Sequence, residues 1–311
     1  RVEKVEQVYV QIVKHIHESE IVNMFVKDDK MQTKATILFK QAGIDMDKIR
    51  FHQFDYADVW FRDYGPTFIV NSHCELAMVN WVFNSWGNKY DELLKDRQIP
   101  QVINQSTQLN CFKPGIVLEG GSIDVNGKGT LLTTEQCLLN SNRNPTLCKT
   151  EIEKYLKDNL GVKHIIWLKN GVCGDDTDGH VDDLARFVNP TTIVCAFEED
   201  ETDDNYSPLK ENYDILLNSV DQDGNKLSIV KLPMPHVIGV EGWLPASYTN
   251  FYISNSAVLA PIFGHKNDEK ALMILQKLFS DRKVVGVNCI DLVHGFGTIH
   301  CISQQQPSTK Q

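Results

Sequence analysis

The sequence lacks any apolar run of the length that a membrane-crossing helix needs. It also lacks the basic, then apolar, then small-residue order of a secretory leader. Those two absences predict a cytoplasmic protein. Positive charge is also scarce: the formal net charge is −10, which repels nucleic-acid phosphates and anionic lipid surfaces and favours a small cationic ligand as partner. Eight cysteines are present, yet none forms a CxxC pair or a zinc-finger spacing. A chain of 311 residues that is 42% apolar builds a core without disulfide staples, so most of these thiols read as inert interior residues. Cys137 in LLTTEQCLL and Cys195 in TTIVCAF, both in strand-like runs, fit that reading. No Pro/Gly/Ser-rich linker interrupts the chain, which argues for one domain over 1–311 rather than two in tandem. The chain starts at Arg1 and enters a helical pattern at once, which predicts an N-terminal segment outside it.

What is present is a repeat. NFYISNSAVLAPIFGHKNDEKALMILQKLFSDRKVVGVNCI reads strand, turn at Ser254-Asn255-Ser256, strand, helix, strand. The same order recurs upstream around turns at Asn189-Pro190, Asn126-Gly127 and Asn71-Ser72. Four β-β-α-β units follow one another at roughly 55 to 65 residues. The N-terminal part supplies helix 2–17, strand IVNMFV, helix 30–41 and strand IRFHQF, as a fifth unit whose first strands are missing or come from the other end of the chain. The predicted fold is α/β, a five-bladed α/β propeller of ββαβ repeats around a central site.

Unusual polar stretches fall at the repeat period. DVWFRDYGP, LEGGS and GDDTDGHVDD each precede the first strand of a unit, and GFGTIHC follows the final strand. Equivalent positions superpose in a repeat, so these stretches should meet at one pole. They bring Asp63, Glu119, Asp178, His180, Asp182 and Cys301 together. A thiolate needs a neighbouring cation or base, which His180 supplies through the fold. His300 reads as the poorer partner, because neighbours on a strand point to opposite faces. Carboxylates in such number do not suit an oxyanion, but two of them match the planar N–H donors of a guanidinium. The set therefore points to a cysteine attacking a guanidinium carbon.

Five aspartates and a histidine within GDDTDGHVDD also make a metal reading available. The EF-hand spacing fails, since the twelfth position from Asp176 is Phe187, and no HExxH occurs. The expectation is no metal and no cofactor. A metal-dependent hydrolase or a non-catalytic binding protein on the same fold are the alternatives.

In WFRDYGPTF, LEGGSI, DTDGHVDDLARF, ASYTNFYI and IHCISQQQP the sequence resembles the agmatine deiminase and bacterial-type peptidylarginine deiminase family, guanidine-modifying enzymes of the pentein fold. The motifs run from Asp58 to Pro307 in the family's order. The resemblance implies an agmatine deiminase that hydrolyses the guanidinium of agmatine to N-carbamoylputrescine and ammonia, a step of polyamine biosynthesis, with free or C-terminal peptidyl arginine as the alternative substrate. It implies Cys301 as nucleophile, His180 as acid and base, Asp63 and Asp182 as the guanidinium clamp, and Glu119 holding the pKa of His180 up. Trp60 would wall the substrate stem, and Asp175 and Asp176 would meet a cationic tail. Arg62 and Arg186 read as structural. A homodimer is the expected assembly. The chain departs from the family in lacking an MPAEW-like start, in a short SWGNKYDELLKD, and in GFGTIHC where GGGNIHC is usual.

Overall fold

A computed structural model describes residues 1–240 and 242–309. Each of the four units forms a three-stranded sheet whose leading strand is antiparallel to the middle one, which in turn pairs in parallel with the strand after the helix. The first unit joins Thr67–Val70, Leu76–Val79 and Asn110–Phe112. The second joins Asp124–Val125, Thr130–Thr134 and His164–Leu168. The third joins Ala185–Asn189, Thr192–Phe197 and Ser228–Pro233, and the fourth Tyr252–Ile253, Ala257–Ile262 and Lys283–Asn288.

All four expected turns lie between the strands they were expected to join. At Asn126 the cause is local: its side-chain oxygen accepts the backbone N–H groups of Lys128, Gly129 and Thr130 at 2.8, 3.0 and 2.9 Å. That oxygen satisfies the donors of a turn in which Gly127 and Gly129 both take positive φ. The middle strands are buried on both faces, as Thr130–Thr134 shows along its whole length, and so read as continuous runs. Each long helix packs a narrow seam on its sheet. Ile152 and Leu156 do so in Lys149–Leu160, and Ala271 and Leu275 in Asp268–Leu278, four residues apart on one face.

Helix Val2–Ile16 leads to a further sheet of only two parallel strands, Val22–Val26 and Ile49–Gln53, joined by helix Asp29–Gln41. Among the described residues no antiparallel strand completes it, and a cavity of about 1410 Å³, lined in part by Val22, Phe25 and Trp60, opens beside it. The sequence-based reading of this unit as incomplete agrees with that. Among the described residues no helix is long and apolar enough to cross a membrane.

Candidate active site

A short turn of helix precedes the leading strand in each of the first three units: Phe61–Tyr64, Gly120–Ser122 and Val181–Asp183. These turns are in direct contact with one another and with the segment around Cys301. The Arg62 N–H donates to the Cys301 carbonyl at 3.0 Å. Gly120 lies so close to the Arg62 carbonyl that no side chain would fit there. Thr249, in the equivalent stretch of the fourth unit, donates its hydroxyl to the Asp182 carbonyl at 2.9 Å.

Around that junction four acids, Asp63, Glu119, Asp182 and Asp183, and two histidines, His180 and His300, are buried. Asp63 accepts the Trp86 indole N–H at 3.0 Å and the Gly121 N–H at 3.0 Å, and its Oδ1 lies 3.7 Å from His180 Nδ1. Asp182 Oδ2 bonds His300 Nδ1 at 2.6 Å and lies 3.9 Å from Cys301 Sγ. Asp182 Oδ1, Asp183 Oδ1 and His180 Nε2 are buried with no hydrogen-bond partner among the described residues. Unpaired buried groups of this kind are costly unless a ligand completes them.

The structure corrects several expectations. His300 belongs to the site, because residues 299–302 form a turn rather than a strand and the alternation argument does not apply. Glu119 is held mainly by Arg143, which the sequence did not single out: Nε donates to Oε1 at 2.7 Å, while His180 Nε2 stands 4.0 Å from Oε2. Arg143 also bonds Asp178 at 2.8 Å and the Thr177 carbonyl at 2.8 Å, so Asp178 is a partner of Arg143 rather than a free acid. Asp175 does not face outward for a ligand's tail; its oxygens accept Thr177 N, Thr177 Oγ1, Gly179 N and His180 N, shaping the loop that carries His180. Asp176 accepts the Tyr90 hydroxyl at 2.7 Å and its carbonyl is bonded by Lys89. Cys137 sits in the short helix Glu135–Leu138 instead of a strand, with Sγ 4.0 Å from Glu119 Oε2. Arg62 and Arg186 both reach other parts of the chain, and Arg62 Nη2 is buried with no hydrogen-bond partner among the described residues. Arg62 bonds the His300 carbonyl, Gln304 and Gln305, and Arg186 bonds Asp124 and the Phe251 carbonyl.

Burial and crowding of like charge set the protonation states. Burial, with Asp182 and Glu119 nearby, pushes the Asp63 carboxyl well up. Burial raises Asp182 to about 7 against the pull of Arg186 and Arg62. Burial, then Asp182, Asp183 and Asp63, hold the Cys301 thiol well above its ordinary range. His180 goes the other way, pushed well down by burial and by the Arg143 charge, which reverses the expectation that Glu119 raises it. The upward shifts of the two carboxyls and the thiol are of the kind that an incoming cation among the carboxylates would oppose.

Two glycine positions give the site its space. A Cβ on Gly121 would stand 2.5 Å from His180 Nδ1, 2.8 Å from Asp63 Oδ1 and 3.2 Å from Asp182 Oδ2. A Cβ on Gly297 would meet Trp60 at 2.5 Å and the Cys301 Cβ at 3.0 Å. The indole therefore packs against the GFG stretch and next to the nucleophile candidate. Metal-ligating atoms of Asp182, Asp183 and Cys301 lie within 4.8 Å of one another, and so do those of Glu119, Cys137 and His180. In the second set the Arg143 guanidinium already neutralises Glu119. Among the described residues no arginine or lysine forms an ion pair with the first set, whose Asp182 bonds His300 and feels Arg186 and Arg62 only at longer range, and this set suits a positively charged ligand.

The family profile of the Porphyromonas-type peptidyl-arginine deiminases matches residues 1–307. A Listeria monocytogenes relative is 44% identical over 285 residues, 84% of this chain and 78% of its own length. The agmatine deiminase of Enterococcus faecalis superposes with a TM-score of 0.88 at 34% identity, covering 99% of this chain and 88% of that one. A cysteine-to-serine variant of the C. jejuni agmatine deiminase with substrate bound superposes with a TM-score of 0.86 at 35% identity, covering 96% of this chain and 86% of that one. The chain therefore belongs to the Porphyromonas-type peptidyl-arginine deiminase family and has its α/β fold.

Proposed function

We propose that the protein is an agmatine deiminase, a hydrolase that converts the guanidinium of agmatine to a ureido group with release of ammonia. The observation that carries this reading is the position of Cys301 Sγ 3.9 Å from Asp182 Oδ2, at a buried junction where Asp182 Oδ1, Asp183 Oδ1 and His180 Nε2 have no hydrogen-bond partner among the described residues. A guanidinium supplies a planar charge and several donors in one group, which no neutral ligand of that size does. The names of the solved relatives support the same substrate class.

Asp63 and Asp182 clamp the guanidinium, and Trp60 packs beside the reacting carbon. Its charge favours ionisation of the carboxylates and of the thiol. Cys301 Sγ then bonds to the guanidinium carbon, and the thiol proton passes to His180. That neutral start accounts for a raised thiol and a lowered imidazole in the same site. The imidazolium protonates one amino nitrogen of the tetrahedral adduct, the C–N bond breaks, and ammonia leaves an S-alkylthiouronium. Water adds to that carbon as His180 takes its proton, the C–S bond breaks, and the thiol and the ureido product are released. Glu119 and Arg143 orient His180. We read the two-stranded sheet as the fifth unit without its leading strand, the four complete units and this one closing a ring as a single domain, with the adjoining cavity as the place such a strand would fill.

Product analysis with agmatine and arginine side by side tests this. N-carbamoylputrescine from agmatine, with citrulline from arginine at less than a hundredth of that rate, is the expected result. Turnover of arginine alone would move the assignment to an arginine deiminase, and no ureido product from either would refute it.

A further inference from the structure

Asn250 lies in the stretch of the fourth unit, SYTN, that corresponds to the turns bearing Asp63, Glu119 and Asp182 in the other three. It is fully buried. Its Oδ1 accepts the His300 backbone N–H at 3.0 Å and the Thr298 hydroxyl at 2.6 Å. A backbone N–H can only donate, so that contact fixes which end of the amide is oxygen. The other end, Nδ2, lies 3.1 Å from Cys301 Sγ, and Oδ1 lies 3.4 Å from it, so the neutral thiol donates to Oδ1 whereas a thiolate can only accept from Nδ2. Trp60 packs beside that sulfur, and the charged side chains near it are acids: Asp182 at 3.9 Å, with Asp183, which also accepts a hydrogen bond from Asn250, and Asp63 adding like charge. Acids repel a thiolate, whereas an N–H aimed at it makes a charge-assisted hydrogen bond.

We propose that Asn250 is a further catalytic residue, whose Nδ2–H donates to the Cys301 sulfur and stabilises the thiolate at the moment of attack, while its Oδ1 holds the 298–300 turn that presents the sulfur. The proposal rests on Cys301 being the nucleophile. Its two halves are separable by substitution. Asn250→Asp keeps an oxygen for the His300 N–H and the Thr298 hydroxyl but removes the donor to sulfur; Asn250→Ala removes the donor without adding charge.

The experiment follows iodoacetamide alkylation of the Cys301 peptide by mass spectrometry from pH 6 to 10 on the full chain, a readout that needs no turnover. Both variants should alkylate Cys301 at least tenfold more slowly than wild type at neutral pH, with the rate midpoint moved to higher pH. Their kcat on agmatine should fall about a hundredfold with KM within threefold. A purely structural Asn250 would leave the pH profile of folded Asn250→Asp superimposed on wild type, and that result overturns the proposal. Should neither variant fold, the wild-type protein decides: the Asn250 side-chain amide, observed by ¹⁵N NMR, should shift when Cys301 is alkylated, and an unmoved resonance overturns the proposal. A shifted alkylation profile in a protein that does not turn over agmatine would leave the Asn250 role standing and remove the deiminase reading.

Discussion

Gly121→Ala tests whether the polar junction is a working site or a packed polar core. Gly121 is absent from the positive-φ glycines, so alanine is compatible with its backbone and the effect is one of space alone. The added methyl would stand 2.5 Å from His180 Nδ1, against an ordinary contact of about 3.4 Å, so roughly 0.9 Å of displacement must be shared out. The imidazole, the Asp63 carboxylate and the Asp182 carboxylate are the groups that must move. A misplacement near 1 Å among reacting groups costs on the order of a hundredfold in rate, about 2.7 kcal/mol of transition-state stabilisation. Steady-state kinetics on agmatine should therefore show kcat/KM lowered about a hundredfold. Thermal unfolding should show only the ~1–3 kcal/mol typical of overpacking. A folded Gly121→Ala protein with kcat/KM within threefold of wild type would refute the reasoning, because the three groups that must shift would then not be the ones that act.

Cys301→Ser should abolish ammonia release measured by a coupled assay, while Cys137→Ala should retain turnover because no step of the proposed mechanism uses its thiol, which is buried 4.0 Å from Glu119 Oε2. Arg143→Met leaves Glu119 as an unpaired buried charge and should destabilise the protein by about 3–5 kcal/mol in denaturant unfolding. Adding Glu119→Gln should restore much of that stability without restoring activity. Asp182 binds its proton more tightly folded than unfolded, its carboxyl standing at about 7. The ligand-free protein therefore loses stability as pH rises from about 4 towards 7, and a guanidinium ligand should raise Tm more at pH 8 than at pH 6. The same group must ionise to clamp the cation, so kcat/KM for agmatine should rise with pH up to about 7 and then level.

Much of the fold was legible because each unit carries its own local instructions. Asn126-Gly127 and Asn189-Pro190 specify turns by backbone preference and side-chain hydrogen bonding, which need no tertiary context. The polar pole was legible because a repeat carries equivalent positions to one place; Asp63, Glu119, His180, Asp182 and Cys301 do converge there. The same logic reaches Asn250, which occupies the corresponding stretch of the fourth unit. Arg143 was not readable: it enters from a loop outside every motif, and an arginine that neutralises a buried acid has no spacing to betray it. The strand argument about His300 failed because the chain turns there, and the turn brings the imidazole onto Asp182. Asp175 looked available because sequence shows a carboxyl group but not the donors its own loop folds around it.

The central claim is that Cys301 forms a covalent bond to the guanidinium carbon. Acid quenching of the protein during turnover of agmatine, followed by peptide mass spectrometry, tests it most directly. The account predicts an amidine-derived adduct on the Cys301 peptide of wild type, absent from the Cys301→Ser protein, which also releases no ammonia. An adduct on another residue, or ammonia release that persists in Cys301→Ser, would contradict it.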